Sequence, residues 1–342
     1  MHEYLTSKVS KLITPVGLSI FFMSAVVNTA AGQSKRPKSN IVPASITVEE
    51  WYLATEDKAA PFLHVYEIGK GEPVVVIHGG PGIGHNYLID IAAGLENKFR
   101  FIFYDQRGSG LSYSYSKDAV SLTKNVEDLE RLRKGLRVQT MSLISHSAGT
   151  YLAMKYLQQY PQNVKNLVLL GATDPKGGDP SFFTEEERAG FNVQGEEAKR
   201  FAERFEVQRE IIKAGLNKPN LTAKQEYFLR RIKSAAGTIY HIERWRQFRF
   251  YYVNRDAAQG ARTGQDAVYD WSKTLAAHPR PITVINGEYD YAVGRKGSPI
   301  WKRVVGTEAR NVKLVLINDA GHNCWIDDPI GFRIALREAL TR

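Results

Sequence analysis

An α/β fold, built on a mostly parallel, doubly wound sheet with an inserted helical cap, is predicted by three features of this 342-residue sequence. Short continuous apolar runs recur along it, segments with helical spacing separate them, and the alternation breaks once, between residues 174 and 277. ITVEEWYLAT (46–55) and PFLHVYEIG (61–69) read as two strands joined by a polar turn. PVVVIH (73–78), FRFIFYD (99–105), TMSLIS (140–145), KNLVLLG (165–171), PITVING (281–287) and VKLVLIND (312–319) follow as runs with no polar alternation. Strands buried on both faces of a parallel sheet need that pattern. Between them, Leu122, Val126, Leu129, Leu132 and Leu136 recur every three or four residues, which gives a helix one apolar stripe. TYLAMKYLQQY (150–160) is a second helix, ended by Pro161. Strand, helix and strand repeated in this way wind with one hand. The break at 174–277 is rich in charge and aromatic residues and too long for a structureless loop. It reads as a cap folded over a core formed by residues 44–173 and 278–342.

The first residues carry Lys8 and Lys11, an apolar stretch from Val16 to Val27, then Ala30, Ala31 and Gly32. Basic, apolar and small residues in that order predict a signal peptide over 1–32. The apolar stretch is short against the roughly 20 residues of a membrane span, so no stable span is expected after cleavage. Residues 33–43, QSKRPKSNIVP, read as a tether. The single cysteine, Cys324, rules out an internal disulfide, a usage that suits a bacterial periplasm. The formal charge is +10, but basic residues alternate with acidic ones, as in FAERFEVQREIIK. With no nucleic-acid motif present, a nucleic-acid partner is not expected.

Ligands of open α/β sheets gather beyond the carboxyl ends of the strands. SHSAG (145–149) stands there between an apolar run and a helix. Alone it fits either a serine N-cap or a nucleophile elbow that lifts Ser147 above the sheet. HGGPG (78–82), directly after a buried run, reads as an oxyanion loop, with the backbone N–H of Gly79 or Gly80 as one donor and that of Ala148 as the other. In DQRGSG (105–110), Asp105 and Arg107 read as a network that locks a turn. A serine nucleophile needs a base, and the base needs a carboxylate. GEYD places Asp290 after one late strand and AGH places His322 after the last, in the order Ser, Asp, His. Asp174 is the fallback acid, and His78 and His146 border the site as supports. There is no HExxH, no cysteine pair and no dinucleotide fingerprint, so neither metal nor cofactor is expected.

Taken in order, HGGPG, DQRGSG, SHSAG, GEYD and GH resemble the α/β-hydrolase superfamily, and more narrowly the prolyl iminopeptidase-like serine peptidases. The resemblance covers nearly the whole chain after the leader. It implies the α/β-hydrolase fold, Ser147 as nucleophile, Asp290 as orienting acid and His322 as general base. It also implies a substrate that loses its N-terminal residue, usually proline, and acidic cap side chains that grip the free amine. Glu243, set among Trp245, Phe248 and Tyr251, is the candidate for that contact, with Trp245 beside it. The elbow departs from the family, which usually carries GGSWG, and looks more like that of esterases. The expected function is therefore an exported aminopeptidase acting on a short peptide or small molecule. A carboxylesterase with the same triad is the alternative, and a non-catalytic binding protein on the same scaffold is a third reading.

Overall fold

The computed structural model describes residues 46–249, 252–293 and 298–342. The leader, the tether and Tyr251 lie outside the described residues. In chain order the strands are β1 (Val48–Ala54), β2 (Phe62–Gly69), β3 (Glu72–Ile77), β4 (Phe99–Tyr104), β5 (Met141–His146), β6 (Val164–Leu170), the two-residue β7 (Lys176–Gly177) and β8 (Tyr269–Asp270), β9 (Ile282–Gly287) and β10 (Val312–Ile317). The helices are α1 (Leu122–Gly135), α2 (Gly149–Gln159), α3 (Glu185–Ala202), α4 (Phe205–Lys213), α5 (Ala223–Ala236), α6 (Arg255–Gly260), α7 (Ser272–Ala277), α8 (Pro299–Thr307), α9 (Cys324–Asp327) and α10 (Pro329–Thr341). Each of the eight apolar runs is a strand of one sheet, ordered β1-β2-β4-β3-β5-β6-β9-β10. β1 and β2 form an antiparallel hairpin, β2 is antiparallel to β4, and every later pairing is parallel.

Side chains alternate across a strand, and the two faces of this sheet have separate cores. Val74 and Val76 enter one cluster, while Val75 and Ile77, the residues that alternate with them, enter the other. The second face is closed by α1, α2 and α8, through Leu129, Leu152 and Trp301. The first is closed by α10 through Phe332 and Leu336, and in the same cluster by Val207, Ile211, Ile232 and Trp245 from the segment between β6 and β9. That segment thus shares its apolar interior with the sheet, and its helices α3 and α5 both open on capping boxes, from Thr184 and Thr222. No helix among the described residues is long and apolar enough to cross a membrane.

Candidate active site

β5 ends at His146 and α2 begins at Gly149, so Ser147 sits in the turn between them. Its φ is +53°, a left-handed conformation that costs a non-glycine residue of order 1–2 kcal/mol and gathers at functional sites. The turn is held by Ser147 N–H donating to Leu170 O at 2.9 Å and Thr150 N–H donating to Ser147 O at 2.9 Å. A side chain on Gly79 would come within 2.7 Å of Ser147 Cβ, so the HGGPG loop lies directly against the serine. Ser145, two residues before Ser147, is fully buried, and its hydroxyl has no partner among the described residues.

Asp290 and His322 stand side by side. Asp290, fully buried after β9, accepts from His322 Nδ1 at 2.8 Å. Its other oxygen accepts the Ala292 N–H at 3.0 Å, which fixes the carboxylate plane. The proton on Nδ1 leaves the Nε2 lone pair free to act as a base. Gly171, just after β6, makes room for this pair: a Cβ there would lie 2.8 Å from the His322 ring and 3.2 Å from Asp290 Oδ2. The elbow and the pair share one sheet end, since the His146 and His322 rings lie 4.4 Å apart. Among the described residues Ser147 Oγ makes no hydrogen bond, and such contacts often tighten only once substrate is bound.

Asp174, the fallback acid, is not the carboxylate that His322 Nδ1 meets. Among the described residues its buried Oδ1 has no partner, and burial pushes its carboxyl up to about 6 against a hydrogen bond from Ser298. Asp327, which no sequence motif marks, organises the base loop instead. It accepts N–H groups from Gly321 at 2.8 Å, from Tyr240 at 2.9 Å and from His241 at 2.8 Å, tying the loop before His322 to the inserted segment.

Of the two candidate oxyanion glycines the structure excludes one. Gly79 N–H donates to the Tyr87 hydroxyl at 2.9 Å and so is not available to a ligand. The Gly79 carbonyl is held in turn by His78 Nδ1 at 2.9 Å. In a trans peptide the following N–H points opposite to that carbonyl. The Gly80 N–H therefore faces away from His78, and among the described residues it donates to no protein acceptor. Neither does Ala148 N–H, as expected at the first turn of α2. Gly80 and Ala148 are the open pair.

His78 also accepts the Gln106 N–H through Nε2 at 3.0 Å, so its hydrogen-bond pattern requires the neutral ring. Complete burial lowers it to about 4 from the usual 6.5. The unfolded chain thus binds this proton near pH 6.5 and the folded chain only near pH 4, so the stability His78 contributes is full above 6.5 and is lost as pH falls toward 4. The loss is roughly 3 kcal/mol. Thermal melts between pH 7 and 4 are expected to show a declining Tm, and His78→Gln is expected to flatten the decline.

Asp105 and Arg107 form the turn lock. Asp105 accepts His85 N–H and His85 Nδ1 at 2.7 Å each, Leu111 N–H at 2.8 Å and His64 Nδ1 at 3.3 Å. Burial alone would raise its carboxyl, but the hydrogen bonds from His64 and His85 outweigh it and hold the group far below the usual carboxylate range. The ligand atoms of His64, His85 and Asp105 lie close enough for a metal ion, all within 4.8 Å of one another. Every lone pair of the carboxylate is already taken by a protein donor, so the cluster fits a structural lock better. Arg107 makes a bidentate pair with Asp128, at 2.5 and 2.9 Å, and reaches Asp57 at 2.6 Å.

The two residues expected to contact substrate part company. Trp245 is fully buried against Phe228, with Arg246 over its ring at 4.1 Å, and belongs to the apolar core. A large ring in a charged segment suggests a pocket wall, but here it is the anchor that holds this segment on the sheet. Glu243 is exposed and lines a cavity of about 450 Å³ together with Glu197, Glu206, Phe201, Tyr289 and Tyr291. Tyr289 and Tyr291 flank Asp290 in the chain, so this cavity borders the acid loop.

An elbow serine with a carboxylate-bound histidine at one end of this sheet defines a class, and the sequence agrees with it: residues 72–329 match the alpha/beta hydrolase fold family, and the chain belongs to that family. More narrowly it is similar to proline iminopeptidases. That of Xylella fastidiosa (strain 9a5c) is 37% identical over 136 residues, 38% of this chain and 42% of the relative. That of Clostridium botulinum (strain Hall) is 36% identical over 103 residues, 30% of this chain and 35% of the relative. The matched stretches thus span less than half the length of these relatives. Among solved structures, a proline iminopeptidase-related protein from Thermus thermophilus superposes with a TM-score of 0.58 at 24% identity, over 86% of this chain and 98% of that one. A thermophilic esterase from Thermogutta terrifontis does so with a TM-score of 0.57 at 20% identity, again over 86% and 98%. At those identities the likeness is one of fold.

Proposed function

We propose that this α/β-hydrolase is an exported serine hydrolase that works through Ser147, His322 and Asp290 and an acyl-enzyme, and that it releases N-terminal proline or another small residue from short peptides. The observation that carries the reading is the Asp290–His322 hydrogen bond of 2.8 Å at the sheet end where Ser147 is held at φ +53°. His322 Nε2 takes the Ser147 proton as Oγ attacks the carbonyl carbon, and Asp290 steadies the imidazolium. Negative charge developing on the carbonyl oxygen meets the N–H groups of Gly80 and Ala148, each worth on the order of 10²–10³ in rate. His322 then protonates the departing amine, and water repeats the sequence to free the acid.

A free N-terminal amine calls for carboxylates near the site, and the cavity beside the acid loop offers Glu197, Glu206 and Glu243. Arg204, on the same wall, does not neutralise them by pairing: its guanidinium donates to the carbonyls of Phe201, Ala236, Ile239 and Tyr240. A carboxylesterase is the second reading, favoured by the elbow SHSAG, which lacks the tryptophan usual after the nucleophile in iminopeptidases.

A panel of aminoacyl arylamides and short acyl esters separates the two. Proline arylamide is expected to give the highest kcat/KM among the arylamides. Strong ester turnover with no arylamide cleavage would replace the peptidase reading by the esterase one, because only a peptidase must protonate a poor amine leaving group. Export is tested by cell fractionation with N-terminal sequencing, expected to find a mature chain starting near Gly32.

A further inference from the structure

Tyr87 lies in a short 3-10 segment, Asn86–Ala92, just after the HGGPG loop, and it is buried. Its hydroxyl accepts from Gly79 N–H at 2.9 Å and stands 2.8 Å from Nδ1 of His146. The other nitrogen of that imidazole, Nε2, is 3.3 Å from the carbonyl oxygen of His322. One assignment of hydrogens satisfies all three contacts. A carbonyl oxygen only accepts, so Nε2 carries the ring hydrogen. Nδ1 then holds a lone pair and takes the Tyr87 hydroxyl hydrogen, and an Oη lone pair receives the Gly79 N–H. The bonds run in one direction, from the oxyanion loop through Tyr87 and His146 to the backbone of the base.

We infer that Tyr87 and His146 are positioning residues that hold the oxyanion donors and the general base in one mutual geometry; the inference rests on the catalytic reading of Ser147, Asp290 and His322. Tyr87 fixes the peptide before Gly79 and His78 fixes the peptide after it, so the direction of the Gly80 donor is set from both sides. At the other end of the chain of bonds, His146 is 2% exposed, with its ring wedged 4.4 Å from that of His322 and 5.1 Å from that of Trp325. His146 also directly precedes the nucleophile. A shift of any of these three parts is therefore felt by the other two. Burial, followed by the neighbouring His322, holds the His146 ring well below the usual imidazole range. The ring stays neutral when His322 gains its proton, and the direction of the bonds survives the catalytic cycle.

Tyr87→Phe removes one oxygen and breaks two of the three bonds. With active sites counted by a fluorophosphonate, kcat per site is expected to fall about 10- to 100-fold, with KM moving less than about threefold, because the loss falls on transition-state donors. His146→Gln is expected to act on the same step. The double variant should lose no more than the worse single variant, since both break one chain of bonds. A role confined to folding would lower the number of titratable sites and Tm and leave kcat per site unchanged. Nitrogen-15 histidine NMR gives a readout that needs no turnover: His146 is expected as the neutral Nε2–H tautomer in the wild type, and in Tyr87→Phe as the same tautomer with its Nδ1 resonance shifted, because Nδ1 loses its hydrogen-bond donor while Nε2–H keeps the His322 carbonyl. A hydrogen on Nδ1 in the wild type, unchanged kcat per site in Tyr87→Phe, or losses that multiply in the double variant overturns the inference. A wild type with the Nε2–H tautomer but no turnover and no fluorophosphonate capture overturns the catalytic reading itself, and the positioning role with it.

Discussion

Ser147→Ala is expected to lower kcat/KM by about 10⁴-fold or more on every substrate the wild type turns over, leaving only the residual catalysis of the oxyanion donors and binding. The same variant should show no burst of product, because no acyl-enzyme can form. Its fold should survive, since the side chain is half-buried and makes no hydrogen bond among the described residues. A companion variant reads the strain at this position. At φ +53° serine and alanine bear the same left-handed cost, whereas glycine bears little. Ser147→Gly should thus be inactive and more stable than Ser147→Ala by roughly 1 kcal/mol, measured by calorimetry. Retention of turnover by Ser147→Ala would remove the nucleophile from the mechanism.

The second large effect is at Asp290. Asp290→Asn keeps the size of the side chain but presents either a neutral acceptor or a donor to His322 Nδ1. If the amide donates, the imidazole hydrogen moves to Nε2 and points at the serine it should deprotonate. A drop in kcat of about 10⁴ is expected, as for the same change in other serine triads, with KM little altered. The carboxylate is fully buried and bonded to both His322 Nδ1 and Ala292 N–H, so no other described group replaces it. Asp174→Asn, at the position of the fallback acid, should leave kcat within a few-fold. A larger loss from Asp174→Asn than from Asp290→Asn would reassign the acid.

The inner strands of the sheet, β3, β4, β5, β6 and β9, are legible in the chain because they are buried on both faces, whereas the edge strands β1 and β10 keep exposed positions. Val74 to Ile77 read as one apolar run for the reason that alternate residues feed two different cores. Asp290 and His322 are legible as candidates for a topological reason: each falls just past a late strand, where open sheets place their ligands. The choice between Gly79 and Gly80 is not legible, since it depends on Tyr87, whose hydroxyl reaches back to the loop and on to His146, 59 residues away along the chain. Trp245 misleads because local composition cannot tell an aromatic anchor from an aromatic wall. α10 does carry a signal in the sequence, since Phe332, Ala335, Leu336, Ala339 and Leu340 repeat at helical spacing and are all buried. Asp327 carries no motif at all; its role follows from three backbone donors converging on it, one from Gly321 six residues before it and two from Tyr240 and His241 in the inserted segment.

Covalent capture tests the central claim most directly. Folded wild-type protein is treated with a fluorophosphonate and the modified residue is located by peptide mass spectrometry. One equivalent of label on Ser147, absent from Ser147→Ala and slowed severely in Asp290→Asn, is the predicted result. No label on folded protein, or label on a residue other than Ser147, would contradict the account.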